Sequence, residues 1–141
     1  DEILNLKKLK LLTSLTIGRV DFGGSLGADR SFSNSDEMLK YCSEIFQKAK
    51  SKNLKTALGG AIATEAIAFI KKLNSDKLID KYETRKLVFH KDAIKKIEEG
   101  LPIGVKFELL WLKSKRRYYH RVRDEDEKRI QMLEKRVKDI S

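Results

Sequence analysis

Thr16-Ile-Gly-Arg-Val-Asp21-Phe-Gly-Gly-Ser25-Leu-Gly27 is the stretch on which the reading of this chain turns. Leu15 to Asp21 reads as a short apolar strand that runs into a carboxylate and then into a glycine-rich loop. The C-terminal end of such a strand is where α/β proteins place ligand chemistry. Asp21 stands at that end as a candidate ligand, although an aspartate also organises turns without binding anything. Gly18, Gly23, Gly24 and Gly27 allow the backbone to come close to an anion or a metal complex.

Outward from this stretch the pattern alternates. Asp1 to Lys10 has helical spacing, with Ile3, Leu6 and Leu9 three residues apart. Asn34 and Glu37 form a capping-box pattern that opens a helix, with Met38, Cys42, Ile45, Phe46 and Ala49 on its apolar face and Asn53 at its end. Lys55 to Ile62 is a second strand carrying Gly59 and Gly60. Thr64 opens a helix whose inner face holds Ile67, Ile70 and Leu73. Thr84 to Phe89 is a third strand, and Asp92 to Glu99 a further helix that stops at Gly100 and Pro102. The tail from Ile103 to Ile140 is helical, with Phe107, Leu110, Trp111 and Tyr118 on a broad apolar face and a second capping pattern at Asp124 and Glu127. Three short apolar strands alternating with helices predict an α/β fold with a parallel sheet, followed by a helical extension.

The totals set bounds. With 141 residues, 40% apolar and 37% charged, the chain suits one folded core and no run approaches the ~20 apolar residues of a membrane span. The single cysteine, Cys42, forms no internal disulfide, which fits a reducing, cytoplasmic setting. The net charge of +10 suits a protein that handles anions. Lys113, Lys115, Arg116, Arg117, Arg121 and Arg123 concentrate it in one late stretch, beside Tyr118 and Tyr119. That stretch reads as the solvated face of an amphipathic helix, ahead of an RNA surface, because Asp124 to Glu127 follows at once. The first residues read as mid-helix, so the chain is expected to be the later part of a longer polypeptide.

At Gly18-Arg-Val-Asp21-Phe-Gly-Gly-Ser25-Leu-Gly27 the sequence resembles the HpcH/HpaI aldolase and citrate lyase β-subunit family. Gly59-Gly60 resembles the turn that closes that family's next strand, and Tyr82-Glu-Thr-Arg85-Lys-Leu-Val-Phe89 its last one. The resemblance covers roughly residues 1 to 99, and it implies two parts. Residues 1–99 would be the C-terminal portion of a TIM (β/α)8 barrel, with its sixth, seventh and eighth strands. Residues 100–141 would be the C-terminal helical extension. The implied activity is metal-dependent carbon–carbon cleavage, citrate-lyase-like or of the 2-oxo-acid aldolase type, on a small 2-oxo acid or an acyl-CoA thioester. Mg²⁺ or Mn²⁺ would be bound by Asp21 together with a glutamate that precedes Asp1. The remaining catalytic groups would lie in the missing N-terminal half of the barrel, a required partner, and the chain is expected to self-associate.

The chemistry is consistent with that resemblance. Mg²⁺ and Mn²⁺ prefer hard oxygen ligands. The Gly18-Arg19-Val20 backbone, with the amide of Asp21, is expected to hold a substrate carboxylate. Ser25 is a further substrate-binding candidate, balanced against a hydrogen bond within its own loop. Glu83 and Arg85 read as structural charges facing away from the chemistry. His90 and His120 read as surface residues and Cys42 as core. The competing function is a basic, helix-rich module that binds nucleic acid or a partner protein.

Overall fold

The computed structural model describes residues 3–7 and 9–138. Its contacts divide the chain between Val105 and Lys106 into two units. The first unit is mixed α/β. Its elements are β1 (Ser14–Gly18), α1 (Arg19–Ser25), α2 (Asp36–Ser51), β2 (Lys55–Gly59), α3 (Ile67–Ser75), β3 (Lys81–Glu83), β4 (Val88–His90) and the start of α4 (Ile97–Lys138). The four strands form one sheet in sequence order, with β1, β2 and β3 parallel and β4 antiparallel to β3.

β2 is the central strand. Thr56, Ala57, Leu58 and Gly59 are all buried, as expected of a parallel strand covered on both faces. α2 buries Met38, Cys42, Phe46 and Ala49, the spacing of one helical face, and α3 buries Phe69, Ile70 and Leu73. All but Ala49 join Ile17, Tyr82, Ile97 and Leu101 in one core, and Ala49 packs with Leu4 and Leu54. A second tie lies at the N-terminal ends of the strands. Asp80 Oδ2 accepts from Lys50 Nζ at 2.5 Å and from the Thr56 amide at 2.7 Å, while Thr56 Oγ1 donates to the Leu78 carbonyl at 2.6 Å.

Burial alone would raise the Asp80 pKa, but the Lys50 and Thr56 hydrogen bonds outweigh it and hold the carboxyl below its ordinary value. A depressed carboxylate stabilises the fold above its unfolded pKa, and that stability is lost as pH falls through the folded value. Asp80→Asn is therefore expected to cost about 2 kcal/mol at neutral pH, the scale of hydrogen bonds to a charged group. The deficit should shrink as pH falls below the ordinary carboxylate range. Urea titrations of both forms at pH 7 and pH 3 check this, and a pH-independent difference would contradict it.

Several expectations are corrected. The first strand ends at Gly18, and Arg19–Ser25 is helical rather than strand end and loop. The glycines after Asp21 serve that helix. Gly23 is buried, and a Cβ on it would stand 3.3 Å from the Phe32 ring. Gly27, at φ +74°, follows the helix, with the Ala28 amide donating to Gly23 O and the Gly27 amide to Gly24 O. That is a Schellman stop. The cap of α2 is Ser35, whose Oγ accepts from the Met38 amide at 3.1 Å, not Asn34. Residues 3–5 and 9–11 are short 3₁₀ turns where a longer helix was expected, and the rest of that prediction, at positions 1, 2 and 8, lies outside the described residues.

The expected third strand, Thr84 to Phe89, is mostly a turn, with β3 ending before it at Glu83 and β4 starting only at Val88. Thr84 N donates to Leu87 O at 2.9 Å, and Thr84 Oγ1 accepts from the Leu87 amide at 3.1 Å. The chain reverses there, and the Tyr82 and Phe89 rings stack across the hairpin at 5.1 Å. Gly100 and Pro102 do not end α4, whose first turns are held to the core by Ile97 and Leu101. Gly104 approaches Phe89 so closely that a Cβ would meet its ring at 2.7 Å. Four strands, one of them antiparallel, do not close a barrel.

In the second unit the helix passes through Asp124 and Glu127 without a restart. No Gly or Pro occurs from Val105 to Lys138, and Gln131 bonds Glu127 one turn back at 3.2 Å. No helix among the described residues is long and apolar enough to cross a membrane.

Candidate functional site

β1 and β2 end in register, Gly18 beside Gly59. Side chains at two such partners would point to the same face of the sheet. Instead, two carboxylates cover them. Asp21, in the first turn of α1, folds back so that its Oδ2 lies 3.0 Å from the position of a Gly18 Cβ. Glu83, at the end of β3, brings Oε1 to 3.5 Å from the position of a Gly59 Cβ. Asp21 is exposed and Glu83 half-buried. Both carboxylates thus lie over adjacent glycines at the C-terminal ends of three parallel strands. Glu83 was expected to face away from this end. Had the third strand been read as starting at Lys81, its last residue would have fallen level with Gly59.

Gly60 follows at φ +76°. A Cβ there would stand 2.7 Å from the Arg19 nitrogen and 2.8 Å from the Val20 nitrogen. Glycine therefore lets the loop after β2 pack its backbone directly against the two amides expected to face a carboxylate. Ser25 is not brought to this ground. It is the last residue of α1, and its hydroxyl donates to the Phe22 carbonyl at 2.7 Å.

The Arg19 side chain performs a role that the sequence reading missed. It is fully buried, and its five N–H donors meet five oxygens. Nε donates to Gly59 O at 3.5 Å, Nη1 to Ser33 O at 2.8 Å and Asn34 Oδ1 at 2.7 Å, and Nη2 to Gly60 O at 2.7 Å and Ala61 O at 3.1 Å. Its guanidinium carbon lies 4.5 Å from the Phe69 ring centroid. Burial lowers its pKa to about 10, which leaves it charged at neutral pH. The clamp fixes the loop after β2 against the segment before α2. It also accounts for Ala61, held at φ +51° with its carbonyl turned to the guanidinium.

The other candidates fall as expected or further out. Cys42 is buried beside this clamp, and burial pushes its thiol up to about 12, which favours the thiol over the nucleophilic thiolate. His90 is exposed and caps the next turn, with Nδ1 3.1 Å from Asp92 Oδ2. His120 is exposed on α4. Among the described residues no group of three or more His, Cys, Asp or Glu side chains is placed to hold a metal ion. Two carboxylates completed by water and substrate oxygens are nevertheless a usual Mg²⁺ donor set, and Asp21 with Glu83 fits that pattern in chemistry.

Comparison with protein-family models, with curated proteins and with solved structures finds no match to this chain.

Proposed function

We propose that this chain is part of a metal-dependent carbon–carbon lyase of the aldolase or citrate-lyase kind. In this reading β1, β2 and β3 are successive parallel strands whose C-terminal ends carry the chemistry. The observation that supports it is the placement of Asp21 and Glu83 over the registered pair Gly18 and Gly59. Two hard oxygen donors at the C-terminal ends of parallel strands suit Mg²⁺ or Mn²⁺. Such an ion would polarise the carbonyl of a 2-oxo acid or acyl thioester and stabilise the enolate left when the carbon–carbon bond breaks. Asp21 is the principal ligand, and Glu83 is the second carboxylate at this end. The Arg19 and Val20 amides, against which Gly60 packs, are the candidates to orient the substrate carboxylate. The Arg19 side chain holds the loop that carries Gly60.

Asp21→Asn in the full-length protein should weaken Mn²⁺ binding by at least about tenfold, the scale of losing one donor or its support. The far-UV circular dichroism should not change, because the Asp21 side chain is exposed. Isothermal titration of both forms measures the effect. Equal affinities would return Asp21 to a role in the turn alone.

A further inference from the structure

Between Trp111 and Arg123, α4 sorts its side chains onto two faces. At 3.6 residues per turn, Trp111, Leu112, Tyr118, Tyr119 and Val122 fall within roughly 120° of arc, and the one other residue there is Lys115. Lys113, Arg116, Arg117, Arg121 and Arg123 occupy the rest of the circle, with Ser114 and His120. The stretch contains no Asp or Glu. We propose that it lies flat on an anionic phospholipid bilayer, with the aromatic arc sunk among the headgroups and the cations held at the lipid phosphates.

The side chains suit that partner in chemistry and in position. Leu112, Tyr118 and Tyr119 are 48–57% exposed in the single chain, so the arc is open to a partner. Trp and Tyr rings have an apolar body and a polar edge, which places them at the boundary between water and hydrocarbon. A helix of this kind buries its apolar face about 5–10 Å deep, and the cations on its flanks add attraction to anionic lipid. Lys115, the one charge within the arc, does not oppose this. Its Nζ lies 5.3 Å from the Trp111 ring centroid and 5.5 Å from that of Tyr119, so its stem runs along the apolar surface and its ammonium can reach the headgroups. Arg121 reaches round from the basic side to lie 5.7 Å from the Tyr118 ring centroid. Asp124-Glu-Asp-Glu127 falls on all sides of the next turn and closes the stretch.

A bilayer is apolar and anionic at once, and so answers both faces together. Nucleic acid answers one of them. Its phosphates would take the basic side, and the aromatic arc, turned away from those cations, would stay in water.

The test uses the whole chain and its single tryptophan, Trp111, which lies within the arc. Phosphatidylcholine vesicles with and without phosphatidylserine are compared by flotation and by Trp emission. Binding should be at least about tenfold tighter with phosphatidylserine, and Trp111 emission should shift to the blue and be quenched by brominated lipid. The preference should fade at 1 M salt, where screening acts over about 3 Å. Two variants separate the faces. One carries Leu112→Gln, Tyr118→Gln and Tyr119→Gln, and the other Arg116→Gln, Arg117→Gln and Arg121→Gln. Glutamine is a good helix former and all six positions are exposed, so the helix should persist, which circular dichroism checks. Each variant should bind the anionic vesicles at least about tenfold more weakly than the unaltered chain.

The proposal is overturned if the unaltered chain ignores phosphatidylserine, or if it binds with Trp111 emission unchanged. It is overturned equally if either variant binds as well as the original. RNA binding or dimerisation by a chain that leaves the vesicles unbound would assign the stretch to those partners instead.

Discussion

Arg19→Leu is expected to lower the stability of the fold by about 4 kcal/mol or more, a large share of the roughly 5–15 kcal/mol available to a domain of this size. Leucine fills part of the volume but donates nothing. Four carbonyls and the Asn34 amide oxygen then lose their partner. A buried acceptor without a partner costs about 1–3 kcal/mol, and water entering from the Asn34 side relieves some of that total. Removing the charge returns part of the cost of burying it, which is why the estimate stays below the simple sum. Arg19→Lys keeps the charge but has three donors on one nitrogen. It cannot span oxygens that lie on both sides of a planar fork, so it should recover less than half of the loss. Urea unfolding of the three forms gives the answer. A leucine variant within 1 kcal/mol of the original would mean that the clamp contributes little.

Gly60→Ala should cost about 3 kcal/mol or more, for two separate reasons. At φ +76° an alanine is strained by about 1–2 kcal/mol. Its Cβ would also stand under 3 Å from two backbone nitrogens at the start of α1, neither of which can rotate away. The shift needed to relieve that contact pulls the loop off Arg19 Nη2, so this loss and that of Arg19→Leu should not add in the double variant. Gly24→Ala is the control. Nothing lies within 4 Å of its Cβ and its backbone is helical, so it should be neutral or stabilising by up to about 1 kcal/mol. If the two glycines behave alike, the close approach at Gly60 is not what the geometry indicates.

The two sites explain how far the sequence could be read. The alternation of apolar runs correctly located β1, β2, α2 and α3, because burial on a helix face or a central strand leaves a periodic trace. Met38, Cys42, Phe46 and Ala49 show that trace clearly. Asp21 was also legible as a residue near the C-terminal end of a strand. The helix that carries it was not, because Gly23 and Gly24 within its seven residues and Gly27 just after it read as a loop. Only the Gly27 stop, once recognised, points back to a preceding helix. The Thr84 turn was hidden for the opposite reason. Its side chain closes the reversal locally, while Leu87, Val88 and Phe89 supply an apolar run that reads as part of one strand. Asn34 was read as a cap and is instead an acceptor for Arg19. That contact depends on residues far apart in the chain, and no local pattern records it.

The sheet order β1-β2-β3-β4 has a kinetic consequence. Every strand pairs with its neighbour in sequence, so no pairing skips an intervening strand, although β1–β2 and β2–β3 each wait for a helical crossover. The unit can therefore assemble in the order in which it is synthesised, each new strand meeting a template already in place. The Thr84 hairpin closes last and seats Phe89, against which Gly104 then docks the start of α4.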